Sequence, residues 1–104
     1  MATRKKDSLI GKAVVVRDHM AGVIFGVLEE FDPVAKTARL SGSRKIHCWT
    51  GAAAVDGISV HGISYDGSRV CPIVESRWCC SVVEVLGCEH EAAKNLRAAP
   101  VWRP

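Results

Sequence analysis

The stretch Val23-Ile24-Phe25-Gly26-Val27-Leu28-Glu29-Glu30-Phe31-Asp32-Pro33-Val34-Ala35-Lys36-Thr37-Ala38-Arg39-Leu40 decides the fold. Its first nine residues are rich in β-branched and aromatic side chains, which suit a pleated, half-buried strand. Gly26 marks a bulge or a close backbone approach within that strand. Asp32-Pro33 opens a turn in which proline presets the backbone angle. Lys36–Leu40 then returns as a strand, hairpin-paired with the first. A hairpin at this point commits the chain to antiparallel pairing.

Working outward, Lys12–Arg17 reads as a strand and Asp18–Gly22 as a turn before Val23. On the other side, Ser41-Gly42-Ser43 breaks the returning strand, and Lys45–Trp49 is a short further strand. Thr50 is placed to cap a helix that starts at Gly51. Ala52–Val55 favour that helix, Gly57 weakens it by ~1 kcal/mol, and it fades by Gly62. Tyr65–Ser68 is a turn. Val70–Val74 and Arg77–Leu86 read as strands, with Pro72 at an edge or a bulge. Glu89–Ala99 is the firmest helix: Ala92, Ala93, Leu96 and Ala99 recur at helical spacing, and Pro100 stops it. Trp102 is expected to fold back onto the domain. The class is α+β, a small, mostly antiparallel β-sheet with one short central helix and one C-terminal helix. Residues 1–12 form a basic N-terminal arm, and residues 13–104 form a single domain.

At 104 residues with 48% hydrophobic and 24% charged side chains, the chain has the size and composition of one globular domain rather than a disordered one. The net charge of +3 is local. Arg4, Lys5, Lys6 and Lys12 outweigh Asp7 in the arm, so the remainder is neutral. Within it, Arg17–Asp32 is acidic and Lys36–Trp49 carries four bases and no acid. This layout disfavours extended nucleic acid and leaves room for a small anion. The longest uncharged apolar stretch, near Met20–Leu28, is about half of what a membrane span needs. Asp7 and Lys12 interrupt any secretory h-region. A cytoplasmic protein is the expectation.

Five cysteines, Cys48, Cys71, Cys79, Cys80 and Cys88, are an odd set without a secretory context, so reduced thiols acting as small buried groups are expected. Cys79 and Cys80 point to opposite faces of an extended strand and do not share a metal. His47 and Cys48 are likewise back to back, as are Glu29 and Glu30, so no nucleophilic or acid–base pair is legible. No enzyme activity, metal or cofactor is expected. Binding is the better case. Along a strand, Lys45, His47 and Trp49 share one face and Arg44, Ile46 and Cys48 the other. Trp49 has two readings, a core ring or a platform for stacking a base, with Lys45 or Arg44 meeting a phosphate.

The segment Arg44-Lys45-Ile46-His47-Cys48-Trp49-Thr50-Gly51-Ala52-Ala53 resembles a motif, approximately R-R-L-W-Y-W-x-G-A-A, of a family of small phage and prophage proteins of unknown function. Val15-Val16-Arg17 with Ala21-Gly22-Val23 is similar to that family's opening. Val82–Val85, Cys88 and Ala99–Trp102 are similar to its close. His47 and Cys48 depart from the pattern, where aromatic residues are usual, and this leaves Trp49 as the remaining ring. The resemblance implies a phage-encoded accessory protein of the host cytoplasm. By analogy of size and genome context, one function is an anti-defence sponge, a homo-oligomer that sequesters a cyclic nucleotide or cyclic ADP-ribose type of signal without catalysis. Its ligand-binding residues would be Arg44, Lys45, His47 and Trp49, with Arg17, Arg97 and Trp102 arriving from a neighbouring copy. The competing expectation is a virion structural protein, or one that contacts a host protein and takes no small ligand.

Overall fold

A computed structural model describes residues 8–104. Of the basic arm, residues 1–7 lie outside the described part. The elements are β1 (Ala13–Asp18), β2 (Gly22–Asp32), β3 (Thr37–Thr50), α1 (Ala54–His61), β4 (Ser64–Val70), β5 (Val74–Cys79), β6 (Val82–Gly87) and α2 (His90–Ala98). The class is α+β: a six-stranded antiparallel sheet with one central and one C-terminal helix. The order is β4-β3-β2-β1-β6, and β5 pairs with β3.

The strand β3 organises this sheet. It runs for 14 residues, so the break expected at Ser41–Ser43 does not occur. Gly42 adopts a positive φ of 54°, and the register against β2 shifts between Phe25 and Val27. Small residues here bend a continuous strand instead of ending it. The first half of β3 pairs with β5 (Ala38 with Cys79, Ser43 with Val74). The second half pairs with β4 (Ile46 with Val70). The segment Ser64–Cys79 thus follows β3 along one side and is interrupted only around Pro72. The expected turn at Tyr65–Ser68 lies inside β4, and the expected strand Val70–Val74 is the interruption. Likewise, the expected strand Arg77–Leu86 is two strands, and they pair with different neighbours, β5 with β3 and β6 with β1.

The two faces of the sheet bury different cores. Val14, Val16, Ile24, Leu28, Ala38, Leu40, Cys79 and Val82 form one core. On the other side, Val15, Phe25 and Ile46 meet Val55 and Ile58 of α1 and Ala93 and Leu96 of α2. Val14, Val15 and Val16 are all fully buried, as a strand covered on both faces requires. The helix α1 starts later than expected, with Ala53 at its N-cap. The hydroxyl of Thr50 instead donates to the Asp66 carbonyl, 2.6 Å away. The helix α2 matches its expected span to within a residue and buries Ala92, Ala93 and Leu96.

Candidate functional site

Arg44 enters the core and is only 2% exposed. Its Nε donates to the Cys71 carbonyl at 3.0 Å. Its Nη1 donates to the carbonyls of Leu96 (3.1 Å), Arg97 (3.3 Å) and Ala99 (2.6 Å). These are the unpaired carbonyls at the C-terminal end of α2, where a cation also meets the negative end of the helix dipole. Burial lowers the Arg44 pKa, but a guanidinium stays charged in a protein. Arg44 therefore clamps a helix to the sheet, and its donors do not face a ligand.

Trp49 resolves to its core reading. Register shifts between Ile46 and Cys48, and between Cys48 and Thr50, change which face the later residues occupy. Trp49 consequently packs against the same core as Ile46 and does not share a face with Lys45 and His47 as strict alternation predicts. Its indole Nε1 donates to the Ala52 carbonyl at 3.2 Å. Gly51, at φ +83°, has no room for a side chain: a Cβ would sit 2.8 Å from the Ser64 nitrogen. Arg44, Trp49, Gly51 and Ala52 thus build the turn from β3 into α1 and the seat of α2.

Two of the other expected site residues are held within their own chain. Arg17 pairs with Glu84 at 2.8 Å across β1 and β6, three strands away from β4. The Arg97 guanidinium covers the Phe25 ring at 5.5 Å. Lys45 is half-buried and reaches toward Gly22.

His47 and Trp102 are brought together. The tail after α2 returns along β4: Val101 bridges Val70 in parallel, and the Trp102 amide donates to the Val70 carbonyl at 3.0 Å. The fold-back expected for Trp102 is thereby made within one chain. Arg69 stacks on the indole, 4.5 Å from its centroid, a favourable cation–π arrangement. A cleft of about 290 Å³ opens beside them, lined by His47, Arg69, Val70, Cys71, Pro72 and Trp102. Across the tail lies a second hollow of about 210 Å³, with Tyr65, Ser68, Trp102 and Arg103 in its wall. No carboxylate lines either hollow among the described residues. Each has one arginine in its wall, Arg103 or Arg69, and the two share the half-exposed Trp102.

A family model described as a domain of unknown function, DUF6948, matches residues 11–96. The chain belongs to this family. No curated protein and no solved structure matches it. The DUF6948 match takes in His47, Arg69 and Cys71 but ends before Trp102, so the indole of the cleft comes from beyond it. Arg69 was missed in the sequence because Tyr65–Ser68 reads as a turn, which hides the strand that carries it past Trp102. No helix among the described residues of this DUF6948 protein is long and apolar enough to cross a membrane.

Proposed function

We propose that this protein is a non-catalytic binder of a small anionic ligand with an aromatic ring, of the nucleotide-derived class, and that the cleft between β4 and the tail is its site. The observation that carries this reading is Arg69 stacked on Trp102 beside His47 in a hollow free of carboxylates. Arg69 covers one face of the indole; a base would take the other face, and the edge of the guanidinium would meet a phosphate in bidentate fashion. His47 adds a donor at the mouth. The cleft volume falls near the lower end of small-molecule sites, which suits one nucleotide unit more than a whole cyclic dinucleotide. The motif resemblance supports a phage-encoded accessory protein of the host cytoplasm, and sequestration of an immune signal there rests on analogy of size and genome context.

Thermal denaturation against a panel of mononucleotides, cyclic di- and trinucleotides and cyclic ADP-ribose tests the reading. One class is expected to raise Tm in a concentration-dependent way, and Arg69→Ala is expected to abolish the shift. Absence of a shift with every compound, at concentrations well above micromolar, overturns it. Ligand recovered chemically intact after denaturing the complex distinguishes a sponge from an enzyme.

A second reading, a virion or host-interaction protein, is favoured by the exposed apolar side chains Met20 and Val34 at the hairpin turns. It predicts indifference to the panel and co-purification with a capsid, tail or host protein.

A further inference from the structure

We propose that β5 is the interface of a symmetric homodimer, formed by antiparallel pairing of its free edge with β5 of a second copy about a two-fold axis at Ser76. The strand pairs with β3 on one side only, and nothing covers its other side among the described residues. Soluble proteins protect such edges with charged side chains, lysine above all, with proline, a bulge or a short strand, and the charges β5 carries, Glu75 and Arg77, are of opposite sign and complement each other across a two-fold. The sequence Val74-Glu75-Ser76-Arg77-Trp78-Cys79 contains no lysine or proline, and its ladder with β3 has no register shift.

The order of side chains along β5 is self-complementary. With Ser76 opposite Ser76, each Glu75 faces the second copy's Arg77 and each Val74 faces its Trp78. Glu75 and Arg77 share one face, and Val74 and Trp78 the other. The two-fold pairing therefore sets two opposite-charge pairs on one face and two aromatic–aliphatic pairs on the other, both favourable across strands. Sliding the register by two residues in either direction sets Glu75 against Glu75 or Arg77 against Arg77. The charges thus select one register.

The side chains are available for this role. The two ion pairs among the described residues, Arg17–Glu84 and Arg39–Glu30, use neither Glu75 nor Arg77. The Arg77 Nε donates to the Ser43 hydroxyl of β3 at 2.9 Å, on the side away from the free edge, so the ion pair across the two-fold is made by the Nη groups reaching back or by exchange of that bond for the second copy's Glu75. Trp78 is 53% exposed and Val74 43%. The other two edge strands lack these features: β4 has register shifts, a positive-φ glycine at Gly67 and the tail bridged to Val70, and the one charge of β6, Glu84, is already held by Arg17. The proposed interface uses no residue of the Arg69–Trp102 cleft, so the two readings stand or fall separately.

Light scattering after size exclusion is expected to give twice the 11.2 kDa chain mass at high protein concentration. Glu75→Arg alone and Arg77→Glu alone each set like charges opposite one another and are expected to weaken dimerisation by roughly tenfold or more. Mixing these two variants restores both opposite-charge pairs, and a heterodimer is expected, detected by native mass spectrometry. Circular dichroism checks that each variant is folded. A wild-type protein that is monomeric at all concentrations overturns the proposal. So do single variants that dimerise as well as wild type, or folded variants that fail to associate on mixing.

Discussion

Asp18 is 4% exposed and yet carries a carboxylate. Its Oδ1 accepts the amides of Met20 (2.9 Å) and Ala21 (2.8 Å), and its Oδ2 accepts that of Ser81 (2.9 Å). One side chain thus shapes the β1–β2 turn and pins the β5–β6 turn beside it. Burial pushes the Asp18 pKa up, but the three amides and nearby His19 outweigh it, so the carboxyl titrates below its ordinary value. A group with a lowered folded pKa stabilises above its unfolded pKa, about 3.9, and loses that contribution as pH falls through the folded value. Asp18→Asn presents an amide donor to one of these N–H groups. It is expected to cost about 1–3 kcal/mol at neutral pH and to flatten the loss of stability on acidification, both measured by urea denaturation between neutral and acid pH. An unchanged acid limb contradicts this account. Asp18 was legible in the sequence only as a turn residue, because its bond to Ser81 spans 63 positions.

Among the elements, α2 was the most legible and β3 the least. The alanines and Leu96 of α2 mark a single apolar stripe. In β3, Ser41-Gly42-Ser43 carries a breaker composition, and neighbouring strands overrode it by pairing on both sides. A register shift is likewise invisible to alternation, which put Trp49 on the face of Lys45 and His47 and left its core and platform readings both open. Site residues suffered likewise: Arg44 lies in a basic run that reads as a ligand surface, while the carbonyls it satisfies are 27 to 55 positions away. Arg44→Met leaves the end of α2 and the Cys71 carbonyl without a donor. It is expected to cost about 2–4 kcal/mol. Arg44→Lys keeps the charge but cannot span both sets of carbonyls, and is expected to recover only part of that loss in the urea midpoint.

For the whole molecule, the question is whether the two cores open separately. Val14 and Val16 lie in one and Val15 in the other, as do Ile24 and Phe25, so adjacent residues on the same strands join them. The cysteines report on each. All five thiols are free, but only Cys79 is fully buried, fewer than expected, and Cys80 is exposed. Burial raises the Cys79 and Cys88 thiols to about 11, which suppresses the reactive thiolate near neutral pH. Alkylation of the native protein, mapped by mass spectrometry, is expected to modify Cys80 first and to spare Cys79 and Cys88. In rising urea, Cys79 in the core of Val14 and Val16 and Cys88 in the core beside the helices are expected to become reactive together. Early labelling of Cys88 reveals a helix layer that detaches by itself.

The Arg44 clamp also constrains the route by which this chain reaches its final state. A guanidinium moved from water into an apolar layer with no acceptors faces a heavy desolvation penalty. Three of its four acceptors belong to the end of α2 and the residue after it. A sheet that closed around Arg44 before α2 arrived would hold a bare cation, so the sheet face and the helix must become dry in one step. The drying of that sheet face is therefore coupled to the meeting of two segments half a chain apart, and water leaves this single positive charge only as its acceptors arrive.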